Sequence, residues 1–285
     1  MIDVRGLHKS YRGKPAVRGI DFTVDAGETV ALLGPNGAGK TTTVEICAGF
    51  RRADSGRVSV LGADPYQAPA SWKARIGVVT QQTTDFLDFT VAEAVWTVAG
   101  CFARPRPVDE VIEAVGLTEK RAERCQRLSG GQRRRLDVAL GIVGSPELLF
   151  LDEPTTGFDP EARRMFWELI RSLRADGTTI LLTTHYLDEA EQLADRVGVI
   201  ADGRMLEMNS PELIGGRAVG QTIVRWHDSD GAREARTTTP TAVVRELATR
   251  FDGEIPRLTI TRESLEDVYV AMIEAVHSVS AEDRA

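Results

Sequence analysis

The stretch Gly34-Pro35-Asn36-Gly37-Ala38-Gly39-Lys40-Thr41 decides the fold of this chain. An apolar strand precedes it and a helix that begins near Thr42 follows it. The glycines let consecutive backbone N–H groups surround phosphate oxygens, and the start of the helix adds a positive dipole. In loops of this kind the lysine reaches the β- and γ-phosphates and the next hydroxyl binds magnesium. The pattern predicts a nucleoside triphosphate site, with Lys40 and Thr41 in these two roles.

A second stretch, Leu148-Leu149-Phe150-Leu151-Asp152-Glu153, is an apolar run that ends in two carboxylates. An unbroken apolar run of this length is typical of a strand buried on both faces of a parallel sheet. Acidic residues that end such a strand are typical of a Walker B motif. The stretch predicts that Asp152 holds magnesium, directly or through water, and that Glu153 polarises the attacking water.

The third stretch is Leu128-Ser129-Gly130-Gly131-Gln132. Ser129 and Gln132 have the N-cap and N3 spacing of a capping box, which predicts that they open a helix covering residues 133–143. Together with the two other motifs, this stretch resembles the signature of the ATP-binding-cassette (ABC) ATPases. The resemblance implies an α/β fold: a P-loop nucleotide-binding domain with a mixed sheet core, an antiparallel β-subdomain and a helical subdomain.

The resemblance also implies which residues contact ATP. Tyr11 matches the aromatic residue that stacks on adenine, and Asp159 matches the loop that signals between two cassettes. The signature implies contact with the γ-phosphate of ATP held by a second subunit. The complete set of implied nucleotide contacts is Tyr11, Gly34, Pro35, Asn36, Gly37, Ala38, Gly39, Lys40, Thr41, Thr42, Ser129, Gly130, Gly131, Gln132 and Asp159.

Two further positions complete the implied catalytic machinery. Gln81 follows the strand Ile76–Thr80 and resembles the family's glutamine loop, which contacts magnesium and the membrane partner; Gln82 is the adjacent alternative. His185 ends the strand Thr179–Thr184 and resembles the switch histidine, which contacts the γ-phosphate. The expected catalytic residues are therefore Glu153, His185 and Gln81, and the expected magnesium ligands are Thr41, Gln81 and Asp152.

Partners follow from the motif count and from hydropathy. The sequence has a single phosphate loop, so the resemblance implies a second ATPase subunit, expected as a homodimer. A leader peptide and a long apolar run are both missing, which predicts a protein held at the cytoplasmic face of the membrane by an integral permease. A net charge of −7 and a pI near 5.3 argue against a nucleic-acid partner. Cys47, Cys101 and Cys125 are isolated, which favours neither zinc nor a disulfide framework.

The pattern along the chain predicts an ATPase domain over residues 1–212, with a helical subdomain at about 85–145, and a small α/β accessory domain over 213–285. The accessory domain is expected to contain strands at 221–226 and 257–261, a helix at 241–250 and an amphipathic final helix that opens at Ser264. The stretch Ser264-Leu265-Glu266-Asp267-Val268-Tyr269 resembles the tail of daunorubicin-type drug- and antibiotic-resistance exporter ATPases. It favours export of drugs, antibiotics or other amphipathic compounds.

Four other functions are compatible with part of this pattern. An importer ATPase would share every catalytic residue and stays open as the alternative. Translation-type ABC factors carry two cassettes in one chain. Chromosome-maintenance proteins of the ABC type need a long coiled coil between Lys40 and Ser129, and that stretch is too short and lacks heptads. A GTPase is disfavoured because the sequence has no Lys-x-Asp motif for guanine.

Overall fold

The computed structural model describes residues 1–80, 86–216, 222–262 and 264–282. The chain divides into two compact units, Met1–Met208 and Asn209–Ala285. The sequence placed the end of the first domain at residue 212, and the division in the structure follows Met208.

The secondary structure of the first unit follows the predicted order of strands and helices. Its elements are β1 (Ile2–Tyr11), β2 (Lys14–Val24), β3 (Thr29–Leu33), α1 (Lys40–Cys47), β4 (Ser55–Val60), α2 (Ala70–Lys73), β5 (Ile76–Val79), α3 (Val91–Ala99), α4 (Val108–Ala114), α5 (Gly130–Ile142), β6 (Leu148–Asp152), α6 (Pro160–Ala175), β7 (Thr179–Thr184), α7 (Leu187–Leu193), β8 (Arg196–Ala201) and β9 (Arg204–Asn209).

The central sheet has six strands in the order β5-β6-β7-β3-β8-β9. The pairs β5–β6, β6–β7, β7–β3 and β3–β8 are parallel. Every residue of β3, β6 and β7 is buried, which explains why these strands are continuous apolar or threonine-containing runs without alternation. In the register Leu33 pairs with Thr184 and Asp152 with Thr183, so the three strands end at the same edge of the sheet.

An antiparallel sheet in the order β2-β1-β4 lies in the same unit. Its strands alternate between buried and exposed positions, and the buried side chains join the hydrophobic core cluster that contains Val44 and Ile46 of α1. This sheet is the expected antiparallel β-subdomain. Because α1 packs in the core that both sheets share, the phosphate loop is held between them.

The helical segment lies between β5 and β6. The region from Thr90 to Glu123 contains two separate helices, α3 and α4, and Pro107 is the N-cap of the second. Thr90 and Glu93 form a capping box at the start of α3. Short 3-10 turns at Thr118–Lys120 and Cys125–Arg127 lead into α5, which begins at the signature stretch.

The second unit is a small α/β structure. Its elements are β10 (Thr222–Asp228), β11 (Gly231–Thr237), α8 (Pro240–Arg250), β12 (Thr259–Arg262) and α9 (Leu265–Glu282), and its antiparallel sheet has the order β11-β10-β12. Strand β11 was not predicted. The predicted cap of the last helix is confirmed, because Ser264 Oγ accepts a hydrogen bond from the Asp267 backbone N–H at 3.1 Å.

Two local properties bear on the expected partners and redox state. Within the described residues, none of the helices combines the length and apolar character needed to cross a membrane.

Cys47 and Cys125 are buried and Cys101 is exposed. Burial raises the pKa of the Cys47 thiol to about 12, so this residue is an inert part of the core.

The division of the chain leads to a first prediction. A chain that ends at Asn209 keeps β9 and every strand of the central sheet, so we expect one cooperative unfolding transition by circular dichroism. A chain that ends at Leu193 loses β8, which pairs with β3, and we expect it to lose the transition. If the 1–209 chain has no cooperative transition, the first unit needs the second in order to fold.

Candidate nucleotide-binding site

The phosphate loop needs glycine at two positions for different reasons. A Cβ atom on Gly34 would lie 2.2 Å from the carbonyl oxygen of Ile200, so no other residue fits there. Gly39 has a φ of 104°, and a Cβ there would lie 2.5 Å from the carbonyl oxygen of Ala16. Gly39 is also the N-cap of α1 and supplies no capping side chain. The first N–H groups of α1 are therefore free to bind an anion.

Lys40 lies back over the loop that precedes it. Its side chain is 4% exposed, and its Nζ donates hydrogen bonds to the carbonyl oxygens of Gly34 at 2.9 Å and Pro35 at 3.2 Å. Glu153 Oε1 is 3.6 Å from the same nitrogen. Burial lowers the pKa of Lys40, and the carboxylates of Glu153 and Asp152 offset part of this shift. A buried cation at this point is suited to bind phosphate oxygens.

Asp152 lies at the end of β6 among hydroxyl groups. Its Oδ1 accepts hydrogen bonds from Thr183 Oγ1 and, at 3.2 Å, from Thr41 Oγ1. Burial raises the pKa of Asp152, and the two hydroxyl hydrogen bonds offset part of this shift. A carboxylate and a hydroxyl are oxygen donors of the kind that Mg²⁺ takes beside phosphate oxygens. The donor set of Thr41 and Asp152 therefore fits magnesium.

Glu153 has a left-handed backbone, with φ 47°. Its N–H donates to the carbonyl oxygen of Thr183 at 3.1 Å and to Thr183 Oγ1 at 3.0 Å. The side chain is 11% exposed, and His185 Nδ1 lies 3.4 Å from Glu153 Oε2. The structure thus brings together Lys40, Glu153 and His185, which come from three different strand ends. A carboxylate between a cation and an imidazole can orient a water and accept its proton.

A cleft of about 780 Å³ opens beside these residues, within the range of about 300–1,000 Å³ that is usual for small-molecule sites. Tyr11 lines it and is 37% exposed, so its ring is available to a flat ligand. Lys9 Nζ and Arg51 Cζ lie 5.6 Å and 5.4 Å from the Tyr11 ring centroid. The lining residues are Tyr11, Ala16, Asn36, Gly37, Gly39, Lys40, Thr41, Thr42, Gly130, Arg134, Glu153, Thr156 and Gly157.

The signature stretch forms the predicted capping box. Ser129 Oγ accepts from the Gln132 N–H at 3.2 Å, and Gln132 Oε1 accepts from the Ser129 N–H at 3.0 Å. Gly130 lines the cleft, whereas Ser129, Gly131 and Gln132 do not. The exposed Ser129 is free on its outer side to meet a ligand from another subunit. That role stays a prediction.

Asp159 lies at the N-terminus of α6. Asp159 does not line the cleft; its Oδ1 accepts from the Ala162 N–H at 2.8 Å and caps α6. Gln81 and its alternative Gln82 lie outside the described residues, so the role of Gln81 as a magnesium ligand stays a prediction.

Arg134 is a residue of the site that the motifs did not reveal. Its guanidinium donates to four carbonyl oxygens at the ends of β5 and β6, and it lines the cleft. A signal was present in the sequence: Arg134 shares one face of α5 with Val138 and Ile142, which are 0% exposed. A charged residue at a core position of a helix indicates a buried partner.

Comparison with known proteins agrees with this geometry. A protein-family model described as "ABC transporter" matches residues 17–156. The chain is 38% identical to the daunorubicin/doxorubicin resistance ATP-binding protein DrrA of Streptomyces peucetius, over 95% of this chain and 92% of the relative. The chain belongs to the ABC transporter ATP-binding proteins. It therefore binds nucleotide and is an ATPase, as the motifs predicted.

Further relatives and structures support the family and the fold. The ABC ATPase is 42% identical to the Nod factor export ATP-binding protein I of Rhizobium johnstonii, over 80% of this chain and 75% of the relative. A solved ATP-binding subunit of an ABC transporter superposes with a TM-score of 0.69 and 25% identity, over 75% of this chain and 91% of the other. A bacterial ABC transporter cassette has a TM-score of 0.67 and 22% identity, over 74% of this chain and 98% of the other. The predicted fold class is confirmed.

This ABC protein also has a buried carboxyl group in α7. Glu189 of α7 is 0% exposed. Burial raises the pKa of Glu189 to about 7, while the hydroxyls of Thr184 and Thr155 and the guanidinium of Arg163 lower it and Asp188 raises it. The folded protein therefore binds a proton at Glu189 over a pH range in which the unfolded chain has lost it.

This shift leads to a second prediction. The unfolded-state pKa is near 4.5, so Glu189 lowers the free energy of unfolding as pH rises from about 4.5 through about 7. Glu189→Gln removes the ionisation. We expect the free energy of unfolding of the variant, relative to that of the wild type, to rise between pH 5 and pH 8 by about 3 kcal/mol at most. Melting temperatures of the two proteins across this pH range would show the rise. The control is Glu168→Gln at an exposed position of α6. An equal relative rise in the stability of that variant would show that Glu189 is not the cause.

Proposed function

We propose that this chain is the ATP-hydrolysing subunit of an ABC exporter that drives a separate membrane permease. The observation that carries the catalytic part is the convergence of Lys40, Thr41, Asp152, Glu153 and His185 at one edge of the central sheet. Similarity to a drug-resistance ATP-binding protein along 95% of the chain, which includes the second unit, supports export. The cargo class is drugs, antibiotics or other amphipathic compounds.

Hydrolysis in this site depends on position and charge. Lys40 and the N–H groups at the start of α1 hold the phosphates. Thr41 and Asp152, with Gln81 as a further ligand, would hold magnesium, which would supply positive charge to neutralise the phosphate oxygens. Glu153 orients the attacking water and accepts its proton, and His185 fixes the water and the γ-phosphate from the other side.

The signature stretch calls for a second ATPase subunit. Ser129 is exposed at the N-terminus of α5, where the helix dipole favours an anion. In the proposed assembly it meets the γ-phosphate of ATP held by a second copy of the chain, so a homodimer closes around two ATP molecules. The pair binds a permease at the cytoplasmic face of the cell membrane. An importer ATPase is the alternative, because the catalytic residues would be the same.

Substitution of Glu153 tests the chemistry. Glu153→Gln keeps the size of the side chain and removes its negative charge, so we expect ATP hydrolysis to fall by about 10²–10⁴-fold. ATP should still bind, and the closed dimer should accumulate with MgATP, as gel filtration would show. Hydrolysis at the wild-type rate in this variant would contradict the assignment of the catalytic base.

Two further variants separate the steps in the same assay. Lys40→Ala removes the buried cation and should weaken ATP binding. Ser129→Arg adds bulk and charge at an exposed position and should block dimer closure while monomer binding persists. If Ser129→Arg dimerises with MgATP as the wild type does, the signature is not at the dimer interface.

The direction of transport is tested in membranes. We expect the chain to sediment with membranes only when its permease is co-expressed. Inside-out vesicles from such cells should take up doxorubicin on addition of MgATP, and vesicles with Glu153→Gln should not. Recovery of the chain in the supernatant despite the permease would contradict a transporter role. ATP-driven uptake by right-side-out vesicles would favour the importer.

A further inference from the structure

Arg134 connects helix α5 to the backbone at the ends of strands β5 and β6, which are distant from it in sequence. It lies in the second turn of α5, and 6% of its surface is exposed. Its Nε donates to the Pro154 carbonyl at 3.2 Å, and its Nη2 donates to the carbonyls of Asp152 and, at 3.3 Å, Glu153. Its Nη1 donates to the carbonyl of Thr80. All the acceptors are main-chain oxygens.

These carbonyl oxygens mark the points at which two strands leave the sheet. Thr80 directly follows β5 and is the last described residue before Gln81. Asp152 ends β6, and Glu153 is the first residue beyond it. Arg134 therefore fixes the backbone at Thr80, which precedes Gln81 in the sequence, and at the catalytic carboxylate. Its Nη1 also lies 4.0 Å from Asp137 Oδ2.

The backbone of Glu153 needs such support. A φ of 47° is unfavourable for a residue with a long side chain, and strained conformations of this kind persist where the surroundings hold them. Thr183 holds the N–H side of Glu153 with two hydrogen bonds. Arg134 holds the carbonyl side. A change in either contact would turn the carboxylate relative to the cleft.

An arginine suits this position better than a lysine. Its planar fork carries five N–H donors in fixed directions, whereas a lysine offers one nitrogen. Three separate carbonyls at the end of β6 and one after β5 can be bonded at once only by such a fork. The side chain also starts from the helix whose first residues form the signature stretch.

We propose that Arg134 is a positioning residue that ties the backbone of Glu153 to the signature helix α5, so that the placement of α5 sets the orientation of the catalytic carboxylate. A second subunit that contacts Ser129 at the start of α5 would then change the orientation of Glu153 through the hydrogen bonds of Arg134. The inference rests on the proposed role of Glu153 and adds the means by which the signature helix controls it.

The test compares Arg134 with its neighbour. Arg135 also donates to a main-chain carbonyl, that of Gly116 at 2.9 Å, but this bond stays within the helical segment. We expect Arg134→Gln to lower kcat by on the order of 10–100-fold, as displacement of a catalytic group does. The KM for ATP and the affinity for MgADP should change less than about threefold. Arg134→Lys should recover part of kcat, and Arg135→Gln should stay near the wild type.

A double variant that combines Glu153→Gln with an Arg134 substitution shows whether Arg134 acts through Glu153. If it does, adding Arg134→Lys to Glu153→Gln should leave residual single-turnover hydrolysis unchanged, because effects through one group are not additive. A further loss equal to that in the wild-type background would overturn the proposal. Equal losses of kcat in Arg134→Gln and Arg135→Gln would also overturn the proposal. Loss of MgADP binding in both Arg134→Gln and Arg134→Lys would overturn it as well, because Arg134 would then serve stability alone.

The same measurements separate this inference from the proposed function. Wild-type protein without ATPase activity, or Glu153→Gln with full activity, would contradict the proposed function. Active wild type, impaired Glu153→Gln and unimpaired Arg134→Gln would contradict the role of Arg134 alone.

Discussion

The parallel pairing of β6, β7 and β3 is the constraint on which the rest of this structure depends. Parallel strands end on the same edge, and the register sets Leu33 beside Thr184 and Asp152 beside Thr183. Residues that are far apart in sequence therefore meet: the phosphate loop follows β3, the two carboxylates close β6, and His185 follows β7. In an open α/β sheet the carboxyl edge is where ligands bind. Each strand is buried along its whole length, so none can slip without exposing apolar residues.

The charges at this edge are held at a cost in solvation. Lys40 loses hydration, which lowers its pKa, and Asp152 loses hydration, which raises its pKa. The two opposing shifts are what a site for a polyanion and its cation requires, because phosphate and magnesium each restore the interaction that water supplied. Glu153 lies between Lys40 and His185, so its carboxylate interacts electrostatically with the lysine of the phosphate loop and with the imidazole that follows β7.

The side chain of Arg134 connects the helical segment to the carboxyl edge of the central sheet. Leu136, Val138, Ala139 and Ile142 of α5 are buried apolar residues, and Arg134 donates to carbonyl oxygens at the ends of β5 and β6. Backbone oxygens are rigid acceptors, so a guanidinium bonded to several of them transmits position more faithfully than packing alone. The helix that begins at the signature stretch and the backbone of Glu153 are thereby joined by hydrogen bonds.

The sequence by itself determined the phosphate loop, the buried strand ending in Asp152 and Glu153, the capping box of Ser129 and Gln132, and the fold class. These features depend on local geometry, which a short run of residues specifies. Only the tertiary structure decided which carbonyl oxygens Arg134 binds, that Glu189 is buried, that His185 lies beside Glu153, and that residues 231–237 form an edge strand. That strand is mostly exposed and polar, so no alternation marked it. Contacts between distant segments depend on strand order and register, which single-sequence patterns do not encode.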